Sequence, residues 1–170
     1  MQSGVTALLS SDRFQTIRPL LVSVALVLAL SWLSSIPVTM NMEWYSTLEK
    51  PAFNPPSWAF GVVWPILYVL MTCAAWFVWQ KHGVNSDAVE EALALFVFQL
   101  VANFFWPLFF FGMQSPWLGL LWIGLVWLLV SLNVIFFASL SKKATLLLVP
   151  YWLWVCFASY LSYSIWRLNS

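Results

Sequence analysis

Charge is nearly missing from this chain. Of its 170 residues only 8% are Asp, Glu, Lys or Arg and 62% are hydrophobic, whereas a soluble domain is about a quarter charged and about half apolar. Several stretches of about 20 residues carry almost no charge, the length a helix needs to cross a bilayer. These stretches continue to the C-terminus, which excludes a lone cleavable secretory leader. A net charge of +1 argues against nucleic acid as a partner.

Histidine and cysteine are almost as scarce. The single histidine, His82, lies in a polar loop, and the two cysteines, Cys73 and Cys156, fall inside apolar segments. No metal site and no histidine-based acid–base or nucleophilic set can be assembled from this inventory. The cysteines read as small core residues and not as a disulfide. The interiors of the apolar stretches hold no acidic or basic residue, and no inverted repeat is visible. Both absences weigh against an ion-coupled pump.

What is present reads as five helices: Pro19–Val38, Trp58–Gln80, Ala88–Phe111, Pro116–Leu140 and Ala144–Trp166. Runs this long and continuous satisfy their backbone in lipid only as helices. The expected fold is an all-α integral membrane bundle of five transmembrane helices, one domain over residues 19–170 behind a short polar lead-in at 1–18. Asp87-Ala88-Val89-Glu90 has the form of a capping box, and Ser115-Pro116 sets a cap before a proline at the first helical position. Arg13, Arg18, Lys81, Lys142 and Lys143 share the N-terminal side, against Lys50 and Arg167 on the other. That asymmetry favours a cytoplasmic N-terminus in a bacterial-type cell membrane; in an outer or organellar membrane the rule need not hold.

Against these scarcities stand thirteen tryptophans. Trp44, Trp58, Trp79, Trp117 and Trp166 sit at span ends, where an interfacial belt accounts for them. Trp64, Trp106, Trp122, Trp127, Trp152 and Trp154 lie within spans, and an indole N–H there favours the bundle interior. From the helical rise, Trp64 and Trp106 lie roughly 8–9 Å, and Asn103 and Ala158 roughly 12 Å, below the face that carries the loop LEKPAFNPPSW, Leu48 to Trp58. Helical spacing groups Phe60, Trp64 and Tyr68 on the second span, Gln99, Asn103, Trp106 and Phe110 on the third, and Trp154, Ala158 and Leu161 on the fifth. Ala158, small between aromatics, leaves a slot. Gln99 and Asn103 have two readings: interhelical glue worth about 0.6 kcal/mol, or a polar rim to a pocket. Pro65, Pro107 and Pro150 each remove a backbone donor and open space by kinking their helices.

Three ordered blocks then resemble one family. Trp44-Tyr45…Leu48-Glu49-Lys50-Pro51…Pro55-Pro56…Trp64…Leu67-Tyr68, Gln99-Leu100…Asn103…Trp106-Pro107…Phe110-Phe111-Gly112, and Pro150-Tyr151…Trp154…Phe157-Ala158…Leu161…Tyr163…Trp166-Arg167…Asn169 are similar to the signatures of the TspO/MBR family. That family comprises tryptophan-rich sensory proteins and the mitochondrial translocator protein, or peripheral benzodiazepine receptor. The resemblance implies a membrane receptor or binding protein for tetrapyrroles, porphyrin or haem, and other hydrophobic ligands, commonly a homodimer, with a regulatory or stress-linked role and no required cofactor. It implies a ligand site that includes Trp44, Tyr45, Trp64, Tyr68, Gln99, Asn103, Trp106, Phe110, Trp154, Ala158 and Leu161, beneath a lid carrying Lys50, Pro51, Pro55 and Pro56. It matches Trp64 and Trp154 to the pair linked in bacterial members to porphyrin breakdown, so a light- or oxidant-dependent degrading enzyme is one alternative. A porphyrin or sterol transporter is another. Leu161, Tyr163 and Arg167 fit a sterol-recognition pattern, a degenerate one. With no histidine in a span, a metal-free porphyrin, or haem held without imidazole, is the ligand to expect.

Overall fold

In the computed structural model the backbone is described from Gln2 and the side chains from Ile17 to Ser170. Most of the polar lead-in at 1–18 therefore lies outside the described side chains. The elements are α1 (Gln2–Ser34), α2 (Ile36–Met40), α3 (Met42–Thr47), α4 (Ser57–Trp79), α5 (Ser86–Pro107), a π-helical turn (Leu108–Gly112), α6 (Pro116–Leu140) and α7 (Lys142–Leu168). Among the described residues five segments are long and apolar enough to cross a membrane: Ile17–Met40, Ser57–Trp79, Ser86–Gly112, Pro116–Leu140 and Lys142–Leu168. The chain is an integral, multi-pass membrane protein, and its span limits fall within a few residues of those expected from composition and punctuation.

Local chemistry sets the ends. Ser115 Oγ accepts the Leu118 amide and Ser141 Oγ accepts the Ala144 amide, each at 3.3 Å, capping α6 and α7. The capping box expected at Asp87–Glu90 does not form. The helix begins at Ser86, earlier than expected, after an Asn85 whose side chain makes no cap, and the Glu90 carboxylate turns to His82 at 3.2 Å. The first span breaks at Ser35, just ahead of Pro37, whose ring cannot donate or continue the turn. The chain then re-enters helix twice before the proline loop.

Around the bundle the helices follow the order α1, α4, α7, α6, α5, with α5 returning to α1. The half nearer the N-terminal face is packed solid: Met71, Ala74, Val78, Val89, Ala92, Phe137 and Leu148 are fully buried. Ala88 and Ala92 form a small-residue pair at helical spacing of the kind that packs helices, and Ala92 packs inside its own bundle, where it is not free to pair with a second chain. The half beneath the proline loop has a separate core of Tyr45, Phe110, Phe111, Leu161 and Ile165. Helix α1 is held most loosely; Leu21 and Leu26 are 58% and 61% exposed, as lipid-facing residues are. The interior tryptophans mostly find acceptors: Trp106 bonds Gly119 O, Trp122 bonds Ala102 O and Trp152 bonds Ser131 Oγ. Trp127 departs from the expected inward placement. It is 42% exposed, because Cys156 Sγ at 3.2 Å takes its N–H at the bundle surface.

Candidate functional site

The loop half of the bundle encloses a cavity of about 520 Å³, within the roughly 300–1,000 Å³ typical of small-molecule sites. Its walls come from α1 to α5, the π turn and α7. Two prolines shape two of those walls. Pro65 and Pro107 line the cavity themselves, and the helix after Pro107 widens into the π turn, closed by Met113 N donating to Leu108 O at 2.8 Å. Such a turn re-aims side chains. Here it directs both Phe110 and Phe111 at the cavity, with Phe110 stacked on Trp106 at 5.5 Å between ring centroids.

Of the residues that sequence grouped as the site, Tyr45, Trp64, Tyr68, Asn103, Trp106, Phe110, Trp154, Ala158 and Leu161 line this one space. Trp64 and Trp154 meet edge to face at 6.5 Å and 88°, and Trp64 leans on Tyr68 at 5.9 Å. The buried indole N–H of Trp154 has no protein partner. Asn103 Nδ2 donates to the Tyr68 hydroxyl at 3.2 Å, placing a polar pair on an aromatic wall. Among the described residues no formally charged side chain is in the lining.

Two expected residues lie elsewhere. Gln99 is one turn below Asn103, fully buried, and donates to the Tyr151 hydroxyl; it ties α5 to α7 under the cavity floor and does not line it. Trp44 stands behind the wall, edge-on to Phe110 at 5.8 Å and Phe111 at 6.4 Å. The sterol-pattern residues divide: Leu161 is buried in the cavity wall, whereas Tyr163 is 47% exposed and Arg167 faces outward. Positions 161 and 163 are about 200° apart on a helix, so one surface cannot hold both. The described residues contain no group of three or more His, Cys, Asp or Glu suited to a metal, and His82 sits at the opposite end of the bundle on Glu90.

The lid residues Lys50, Pro51, Pro55 and Pro56 form a strap over this end without lining the cavity. Lys50 Nζ donates to Leu48 O at 2.8 Å and lies 4.7 Å from the Tyr45 ring centroid. The Tyr45 hydroxyl donates to Asn54 Oδ1 at 3.0 Å, and burial raises its pKa, keeping it a neutral donor. Phe53 stacks on Tyr160 at 5.2 Å. A clasp that motif reading left without a role comes from the far end of the chain. The Asn169 side chain accepts the Glu49 amide at 3.0 Å and donates to the Glu49 carbonyl at 2.9 Å, pinning the loop to the end of α7. Each bond is worth about 0.5–1.5 kcal/mol net. Asn169→Ala is expected to speed amide exchange across residues 48–56 by about tenfold or more, with the core amides of α6 and α7 unchanged. Equal protection of the loop in both proteins would show that the clasp holds nothing.

The first helix was also missed. Leu28, Ser31, Trp32, Ser35, Val38 and Thr39 complete the wall, and Ser34 anchors α1 by donating to Phe104 O at 2.9 Å. The signal available in sequence was the run of serines beside Pro37 in an otherwise apolar span.

Comparison with known proteins gives one answer. The model of the TspO/MBR family matches residues 23–167. The tryptophan-rich protein TspO of Chlorobaculum tepidum is 44% identical over 151 residues, covering 86% of this chain and 92% of that one. Its namesake in Archaeoglobus fulgidus is 37% identical over 152 residues, 89% and 97% of the two chains. The translocator protein of Homo sapiens is 34% identical over 129 residues, 76% of each chain.

Proposed function

The chain belongs to the TspO/MBR family, and from that membership and the cavity we propose that it is a membrane receptor for tetrapyrroles, porphyrin or haem, and other hydrophobic small molecules, with a regulatory role. The observation that carries this reading is the lining: four indoles (Trp32, Trp64, Trp106 and Trp154) and two phenylalanines of the π turn around one uncharged space. A flat conjugated ring gains from stacking and edge contacts with such walls, while Asn103, Tyr68 and the Trp154 N–H offer a few polar points to its rim. Carboxylates on the ligand would be directed to the loop face, since burying them unpaired is costly. The proposal includes a homodimer, which the family resemblance supports, and a bacterial-type cell membrane, which the excess of lysine and arginine on the N-terminal side supports. Sterol enters it only through the outward Tyr163 and Arg167.

Titration of the purified protein in detergent with metal-free protoporphyrin, read by tryptophan quenching, tests the reading. Saturable one-site quenching is expected; a linear, non-saturating response would overturn it. Asn103→Leu is expected to weaken that binding about tenfold while costing no more than about 1 kcal/mol of stability. Unchanged affinity with a large loss of stability would return Asn103 to the role of helix glue. The edge-to-face Trp64–Trp154 pair on the cavity wall favours a second reading, light- or oxidant-dependent breakdown of the bound ring. Trp154→Phe separates the two: loss of light-dependent conversion with binding retained supports chemistry, and absence of conversion in the parent protein leaves binding alone. Active transport draws little support, because the span interiors lack charges to couple to an ion gradient.

A further inference from the structure

At the end of the bundle opposite the ligand cavity, the last turn of α4 and the junction of α6 with α7 enclose a groove of about 940 Å³, lined by Phe77, Trp79, Lys81, His82, Lys142 and Lys143 among others. Three lysines share this space. Glu90 meets His82 Nε2 at 3.2 Å, and among the described residues no Lys or Arg lies within 4.0 Å of a carboxylate, so no described carboxylate neutralises Lys81, Lys142 or Lys143. Glu90, Glu91 and Asp87 lie on the same face of the bundle but do not line the groove. Lys142 and Lys143 open α7, whose first turn has no acidic residue; the partial positive charge of a helix N-terminus adds to their mutual repulsion. The floor is apolar. Lys143 Nζ lies 6.0 Å from the Phe77 ring centroid, Leu140 lines the same groove, and Trp79 is 47% exposed at the level of the membrane interface.

We propose that this groove is a headgroup site for an anionic, phosphate-bearing membrane lipid. Its phosphate sits among Lys81, Lys142 and Lys143, and its chains follow the apolar wall of Phe77 and Leu140 into the bilayer. The uncompensated cations supply the complementary charge, and the position at the end of two spans places that charge at headgroup depth. Phosphate alone carries the same recognition chemistry, but only a lipid uses the apolar wall as well.

The test uses the full chain, delipidated in a neutral detergent, with phosphatidylglycerol, phosphatidylcholine of the same chains, or inorganic phosphate. Retained lipid is counted by native mass spectrometry. Phosphatidylglycerol is expected to be retained over phosphatidylcholine by about tenfold or more, since each lysine near the surface contributes about fivefold. Lys81→Gln combined with Lys142→Gln and Lys143→Gln is expected to erase the preference, and the three Lys→Arg substitutions to keep it. Equal retention of the two lipids, or an undiminished preference in the glutamine variant, overturns the proposal. Displacement of phosphatidylglycerol by an equal concentration of inorganic phosphate overturns the lipid as the source. If the triple variant does not fold, Lys143→Gln alone and salt at about 1 M, where screening acts over about 3 Å, are each expected to lower the preference severalfold; no change in either overturns the site.

Discussion

Ala158→Phe is expected to weaken protoporphyrin binding by about 100-fold, a loss of about 3 kcal/mol, while the helical fold persists. Ala158 lies in the cavity wall, 7% exposed, on the same face of α7 as Trp154. The two are separated by about 40° in projection and about 6 Å in height, so a flat ring against the indole must use the space that the alanine methyl leaves. A phenyl group at this position enters empty volume, which costs the folded protein less than the 1–3 kcal/mol typical of overfilling a packed core. The ligand has no such freedom. Affinity by tryptophan quenching and unfolding by circular dichroism, measured on the same samples, separate the two effects, with Ala158→Ser as the variant that keeps the slot. Full affinity in Ala158→Phe would remove α7 from the site.

Gly119→Ala is expected to act at a distance, through Phe110. A Cβ at Gly119 overlaps Phe110 Cδ2 and falls 2.8 Å from its Cβ. Phe110 is 2% exposed and hemmed in by Trp106 at 5.5 Å, Trp44 at 5.8 Å and Phe111 at 4.8 Å, so the open direction is into the cavity. The substitution is expected to cost about 1–3 kcal/mol of stability and to lower ligand affinity about tenfold, as the ring takes ligand space. Combining it with Phe110→Leu should recover the part due to the ring but not the part due to Cβ and Cγ, which leucine keeps, a non-additive result for residues in contact. Strict additivity would mean that Gly119 matters for some reason other than room for Phe110.

Much of the cavity lining was legible along single helices. Periodicity assembles Phe60, Trp64 and Tyr68, and separately Trp154, Ala158 and Leu161, because residues three and four apart on a helix share a face. The same rule overextended on the third span. It placed Gln99 in line with Asn103, and only the packing of α7 decides that Gln99 meets Tyr151 below the floor while Asn103 meets Tyr68 at the wall. The first helix was illegible as a wall because its serines read equally well as lipid-facing or interior until a neighbour is known.

The sequence alone determined that this is a membrane protein of five spans, the limits of those spans to within a few residues, and which family it belongs to. The reason is that bilayer thickness, backbone satisfaction and motif spacing act on contiguous residues. Tertiary structure decided the rest. It put the void in the loop half of the bundle and the solid core in the other, turned Phe110 and Phe111 inward through a π turn, and brought Asn169 to Glu49 across 120 positions of chain. Those outcomes depend on how helices distant in sequence seat against one another, and no local pattern encodes that seating.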